Sequence, residues 1–200
     1  MSKHSPSDLG ARPTYLLLAA LAVALWFALL PLRPLFNPDE GRYAEIPREM
    51  LAGGDWLIPH LNGIVYIEKP PLQYWATAAA LRVFGNNEFG ARFYTAACAL
   101  ATLMAVWFVA ARLWDSAAAW IAAAVLGSMS LFVVMGQLLT LDMSLTFYLT
   151  AALAAFLMAQ QPPQASRPRS TSRRWMLMAW LAAALGVLTK GLVAAAIPAG

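Results

Sequence analysis

Tyr66-Ile67-Glu68-Lys69-Pro70-Pro71 sets a carboxylate beside an ammonium on a segment that is not helical. A residue before proline is held in extended geometry, so Glu68 and Lys69 project from a stiff support. A lysine held rigid in this way is a natural ligand for phosphate. Arg42 would add a second positive charge, with a planar fork that suits phosphate oxygens. Asp39 and Glu40 stand just before it, and are either site acids or a complement to a helix dipole, worth about 0.3–1 kcal/mol each. Arg42 lies three residues from Asp39 and can equally be its intrahelical partner. His60 could share a metal with Glu68, although a lone loop histidine is more often simply solvated. His4, in a polar tail, has no role in this reading.

Two further ionisable residues border apolar runs. Asp142 follows Thr140-Leu141 and is either an N-terminal helix cap or a functional acid. Lys190 either snorkels to the membrane interface or meets an anionic headgroup.

The elements that must hold these groups follow from composition. The chain has 200 residues, of which 60% are hydrophobic and only 12% charged, with mean hydropathy +0.59. Soluble domains carry roughly 25% charged and about 45–50% apolar residues. A soluble enzyme, a disordered chain, a coiled coil and a disulfide scaffold are excluded, and an integral membrane protein remains. The net charge of +4 comes from Lys and Arg spread along the chain, not from a basic stripe, so no nucleic-acid partner is expected. Cys98 stands alone in an apolar run and reads as a small hydrophobe.

Apolar runs of about 20 residues suggest spans at 15–32, Phe89–Leu113, Ala117–Met135 and Met143–Ala159, with a fifth from Trp175 to near Lys190. Lys3 and Arg12 before the first run suit a signal peptide, but no small-residue cleavage site follows, so this span is read as uncleaved. Residues 160–174 hold four arginines and three prolines and read as a basic loop. Lys3, Arg12, Arg112 and that loop fall on one side if the N-terminus is cytoplasmic. The expected division is therefore a cytoplasmic tail at 1–14, a first span at 15–32 and an extracytoplasmic loop at 33–88. Spans two to four then occupy 89–159, the cytoplasmic loop 160–174, and the fifth span with the start of a sixth 175–200, where the chain reads as truncated. The loop at 33–88 holds seven of the ten carboxylates.

Within that loop, Asn37 is expected to cap a helix with Pro38 at its first position and Glu40 reaching back. Tyr43, Ile46, Pro47, Met50 and Leu51 then form one apolar stripe, opposite Glu45, Arg48 and Glu49. Gly53-Gly54 ends the helix, which should lie along the membrane surface. A second short helix is expected from Pro71 to Phe84, interfacial or re-entrant, because its roughly 21 Å cannot cross a ~30 Å core. The fold class is all-α: a polytopic membrane protein with interfacial amphipathic helices.

The stretch FNPDEGRYAEIPREMLAGGDWLIPHLNGIVYIEKPPLQYW at 36–75 resembles the first periplasmic loop of the bacterial aminoarabinose transferases that modify lipid A. Those enzymes are relatives of the protein O-mannosyltransferases among the GT-C glycosyltransferases. LTLDMSLTF at 139–147 and LTKG at 188–191 are similar to further family segments, in the same order. The resemblance implies a GT-C-like fold and a sugar moved from a polyprenyl-phosphate donor to an acceptor at the outer face of the inner membrane. It implies Asp39 and Asp142 as the catalytic acids. Arg42, Tyr66 and Lys69 would hold the carrier phosphate, with Glu40 and Glu68 among the substrate-binding residues. Glu68 would also be one ligand of a divalent metal whose histidine ligand lies beyond residue 200. The acceptor is a glycolipid such as lipid A, or else a protein. Alternative readings are a transporter or flippase of a lipid-linked sugar, which would place charge near the bilayer midplane, or an inactive accessory chain.

Overall fold

Apolar chain in a bilayer must satisfy its own backbone, and helices do so locally. The computed structural model describes residues 7–161 and 169–194 and is helical apart from one small hairpin. Helix α1 (Ser7–Ala28) leads through a 3-10 turn (Leu30–Leu32) to α2 (Asp39–Gly53). Strands β1 (His60–Leu61) and β2 (Ile64–Val65) pair antiparallel, His60 opposite Val65. Their turn, Asn62-Gly63, has positive φ at both residues, the twist that a two-residue hairpin favours. Then come α3 (Leu72–Phe84), α4 (Glu88–Leu113), α5 (Ser116–Ser128), α6 (Ser130–Gln137), α7 (Leu141–Gln160) and α8 (Arg169–Lys190).

Among the described residues, α4 and α7 are long and apolar enough to cross a membrane. The expected third span is not one rod: α5 and α6 meet at a 68° bend. Met129 is extended there, and the Ser128 hydroxyl donates to the Val125 carbonyl, so the helical ladder stops at a Ser-Met-Ser break. Helix α8 starts at Arg169, inside the segment expected to be loop. The Ser172 hydroxyl donates to the Ala159 carbonyl at 2.8 Å and docks that polar turn on the end of α7. The expected start of a sixth span reaches residues 195–200, outside the described residues.

The loop helices follow their sequence signals in part. Gly54 ends α2 in the left-handed conformation, and α3 begins one residue after Pro71. Asn37 does not cap α2: Pro38 occupies the cap position without a side-chain bond. The Glu40 carboxylate reaches back to the Phe36 N–H instead. The apolar stripe of α2 is not laid on lipid either. Ile46 and Met50 are buried against Tyr74 of α3, with Tyr43, Leu61, Tyr66 and Trp75 around them.

One buried ion pair joins four parts of the chain. Arg92 of α4 and Glu40 of α2 are both buried. Arg92 Nε and Nη2 donate to the two Glu40 oxygens at 2.8 and 2.7 Å. Its remaining donors go to the carbonyls of Leu30, Arg33 and Pro34, at 2.8, 2.8 and 2.9 Å. Those carbonyls have no helical partner beyond the end of α1, so the guanidinium satisfies a chain end that would otherwise be orphaned. Glu40 in turn accepts from Leu139 N–H at 2.7 Å, which anchors the link between α6 and α7, and from Arg33 Nη1 at 3.1 Å. Burial pushes the Glu40 carboxyl up, but the Arg92 hydrogen bond, the Leu139 and Phe36 N–H groups and the Arg92 charge outweigh it and hold it at about 2. A second buried set joins α3, α4 and α7: Ser144 donates to Gln73 at 2.7 Å, and Gln73 to Thr77 and Thr95 at 3.3 and 3.4 Å. Close approach completes the packing, since a Cβ on Gly136 would lie 2.7 Å from the Trp26 ring.

Removing one partner of a buried pair leaves an uncompensated charge or unpaired donors, at about 3–5 kcal/mol. Arg92→Met and Glu40→Gln should each lower the detergent-solubilised melting temperature by many degrees, whereas Arg48→Gln on the exposed face of α2 should not. A folded-state value below the ordinary 4.5 makes the Glu40 contribution full above about pH 4.5 and lost as pH falls toward 2. The melting-temperature gap between wild type and Glu40→Gln should therefore shrink over that window; a gap independent of pH would contradict the assignment.

Candidate functional site

The first turn of α2 puts Asp39 and Arg42 on one face, where Arg42 Nη2 meets Asp39 Oδ1 at 2.5 Å. The extended segment after β2 brings its own groups to the same place, held by the Tyr66 N–H on the Pro59 carbonyl at 2.8 Å. The Tyr66 hydroxyl donates to Glu68 Oε2 at 2.7 Å. Lys69 Nζ lies 3.0 Å from Glu68 Oε1, and Arg42 Nη1 lies 4.0 Å from Oε2. Asp39, Arg42, Tyr66, Glu68 and Lys69 thus form one continuous cluster. Tyr74 underlies it, with ring centroids 6.4 Å from Tyr43 and 6.5 Å from Tyr66.

The carboxylates of this cluster face solvent more than the cations do. Asp39 and Glu68 side chains are 63% and 54% exposed, against 30% and 28% for Arg42 and Lys69. The Tyr66 hydroxyl, then Lys69, hold the Glu68 carboxyl below the usual range. The Asp39 hydrogen bond holds the Arg42 guanidinium up. An arriving phosphate would meet two half-covered cations whose present partners are exposed, weakly held acids.

Asp39 also lines a cleft of about 690 Å³ together with Asp142. The cleft runs between the start of α2 and the α6–α7 link, with Val133, Met135 and Leu138 on its apolar wall. Arg33 closes one side by donating to the Gln137 carbonyl. Asp142 sits in the first turn of α7, where the cap position belongs to Thr140. Its carboxylate is paired with Lys190 at the end of α8. The two isolated charges of the sequence are one ion pair.

Glu40 lines the same cleft but is held differently from the exposed cluster. Its oxygens are engaged by Arg92, Arg33 and two backbone N–H groups, so it supports the site instead of presenting a free acid to it. Glu68 is the residue that the resemblance makes one ligand of a divalent metal, with the histidine ligand beyond residue 200. It is one carboxylate among two cations and a phenol, and no three His, Cys, Asp or Glu converge among the described residues. His60 lies in β1, beside Glu49 and Asp55 rather than Glu68. Two residues of the support were not anticipated, Arg92 and Arg33. Arg92 carried a signal, an arginine inside an apolar run, which has to find a partner.

The family model for Dolichyl-phosphate-mannose-protein mannosyltransferase matches residues 13–200. The Undecaprenyl phosphate-alpha-4-amino-4-deoxy-L-arabinose arabinosyl transferase of Aeromonas salmonicida is 40% identical over 178 residues, 87% of this chain and 32% of that protein. A second such transferase, from Sodalis glossinidius, is 40% identical over 181 residues, 88% of this chain and 32% of its own. The crystal structure of ArnT from Cupriavidus metallidurans in the apo state superposes with a TM-score of 0.90 at 36% identity, covering 95% of this chain and 35% of that one. The form bound to undecaprenyl phosphate gives 0.89 at 36% identity, covering 94% and 34%. The chain spans about a third of the length of the curated relatives it matches. The helical membrane architecture is that of a GT-C glycosyltransferase.

A shared cleft can be tested without activity. In a Cys98→Ser background, Asp39→Cys with Asp142→Cys should be joined by a short bis-methanethiosulfonate. Glu45→Cys with Asp142→Cys should not. Equal yields from the two pairs, read by peptide mass spectrometry, would show that the acids do not face one another.

Proposed function

The chain belongs to the dolichyl-phosphate-mannose-protein mannosyltransferase family, and from that premise we propose that it takes part in sugar transfer from a polyprenyl-phosphate donor to an envelope glycolipid. The observation that carries the reading is the convergence of Arg42, Lys69 and the Tyr66 hydroxyl beside Asp39, at the edge of the cleft that also holds Asp142. The names of the relatives, undecaprenyl phosphate aminoarabinose transferases, support undecaprenyl phosphate as carrier and aminoarabinose as sugar. A lipid A acceptor fits the same reading.

In the reaction, the bond from the sugar anomeric carbon to the carrier phosphate oxygen breaks, and a bond from the acceptor oxygen to that carbon forms. Negative charge grows on the leaving phosphate. Arg42 and Lys69 stabilise it there, which is where preorganised charge acts most strongly. A hydroxyl acceptor loses its proton to Asp39 late in the displacement. A phosphate acceptor is already anionic, and Asp39 then orients the sugar. Asp142, positioned by Lys190, bounds the cleft on the far side. Charge collected at the loop end of the helices favours chemistry at the membrane surface over passage through the midplane. The loop at 33–88 is then periplasmic, the N-terminus cytoplasmic and the membrane the bacterial inner membrane.

Asp39→Ala and Lys69→Ala in the full-length protein should each reduce transfer by about 10²-fold or more, since loss of one transition-state donor typically costs that much. Membrane insertion should be unchanged. Turnover of both variants within a few-fold of wild type, in an assay with purified donor and acceptor, would overturn the proposal. Mass spectrometry of lipid A from cells with and without the gene should differ by aminoarabinose; identical spectra would move the acceptor to another class.

A further inference from the structure

Apart from the candidate cleft, α4, α7 and α8 leave an apolar crevice of about 550 Å³ between them. Met104 and Phe108 of α4, Ala151 of α7, and Met178 and Leu181 of α8 line it. Met104, Met178 and Leu181 are well exposed, so the crevice opens sideways from the bundle. On α8 it extends from Trp175 to Leu185, about 15 Å of helical rise and half of a ~30 Å hydrocarbon core. That is the depth of one leaflet. Asp142 begins α7 and Lys190 ends α8; the crevice, which Phe147 and Tyr148 also line, runs along the middle of both helices from the end away from that pair.

Two arginines stand at the end of its walls away from Asp142 and Lys190. Arg112 continues the Met104–Phe108 stripe at four-residue spacing, and Arg174 precedes Met178 by four and Leu181 by seven. Both therefore share the crevice face of their helices. The Arg112 guanidinium lies 5.0 Å from the Phe108 ring centroid, and that ring lies 5.9 Å from Trp175. The two aromatic rings thus tie the arginine-bearing ends of α4 and α8 together. Neither arginine forms an ion pair among the described residues. Asp115, the acid closest to Arg112 in sequence, accepts the Ala118 N–H at 2.8 Å as the cap of α5.

We propose that this crevice is a binding site for an anionic phospholipid, with an acyl chain along α4 and α8 and the headgroup phosphate between Arg112 and Arg174. Charge complementarity selects this occupant. An apolar helix seated in the crevice would leave two guanidinium groups uncompensated at the membrane interface. A zwitterionic headgroup brings its own ammonium to them. Basic groups between membrane helices hold anionic headgroups by attraction of this kind. The site is separate from the sugar-transfer cluster, and its arginine-bearing end lies at the opposite end of α7 and α8 from Asp142 and Lys190.

Native mass spectrometry of the intact protein, released from nanodiscs with equal phosphatidylglycerol and phosphatidylcholine, tests the site. Retained phosphatidylglycerol should exceed phosphatidylcholine by about ten-fold, as two arginines at an anionic headgroup imply. Arg112→Gln with Arg174→Gln should bring the ratio close to one. Arg173→Gln, one position off the stripe, should preserve it. Ala151→Leu with Ala154→Leu should narrow the crevice and reduce retention of both lipids. Parity in the wild type, or an Arg173→Gln effect equal to that of the double variant, would overturn the proposal. So would a cysteine cross-link from Met178→Cys to a second copy or to another segment of the protein, because the crevice would then be filled by protein.

Discussion

A guanidinium cannot be buried in an apolar helix bundle unless its donors are met, and Arg92 meets this demand with a single carboxylate and three carbonyls. The consequence is architectural. The carbonyls belong to the chain leaving α1, the carboxylate to the first turn of α2, and the same carboxylate accepts the backbone N–H of Leu139 ahead of α7. Asp39 is the neighbour of Glu40 in sequence, and Asp142 follows Leu139 by three. The need to satisfy one buried charge therefore sets the spacing of the two acids that share the cleft.

Around that rigid centre, the other ion pairs are of a different kind. Asp39–Arg42 and Glu68–Lys69 are half-exposed and short in sequence, and pairs of this sort contribute about 0–1 kcal/mol. They are poor supports for a fold and well suited to exchange. In the function proposed for this chain, a phosphate replaces Glu68 or Asp39 as partner of Lys69 and Arg42 at small cost in stability. The buried pair cannot exchange in this way, because nothing else could satisfy Arg92. The contrast separates a buried, fully engaged pair from exposed pairs proposed to act in the site, although Glu40 and Asp39 are adjacent in the chain.

The sequence made much of this legible. Extended geometry before Pro70 and Pro71 pointed to Lys69 and Glu68, and i, i+3 spacing pointed to the Asp39–Arg42 pair. Gly54 and Gly85 end their helices where the pattern places those ends. What was not legible depended on contacts distant in the chain. Arg92 lies 52 residues from Glu40, and neither local pattern specifies the other. Asn37 looked like a cap because capping chemistry is local, whereas the Glu40 carboxylate was drawn to a partner outside the helix. Asp142 and Lys190, 48 residues apart, each read as an isolated charge until the packing of α7 on α8 paired them. The break at Met129 escaped hydropathy because an apolar run looks the same whether straight or bent.

If the Glu40–Arg92 pair sets the position of the loop helix against the bundle, its removal should loosen that position before it unfolds either part. Spin labels at Arg48→Cys on α2 and Met129→Cys at the α5–α6 bend, in a Cys98→Ser background, report that distance by double electron–electron resonance. A single narrow distribution is expected with Glu40 present, and a broad or multiple one with Glu40→Gln under conditions where the helices remain folded. An equally narrow distribution at the same distance in both proteins would contradict the central role given to this pair.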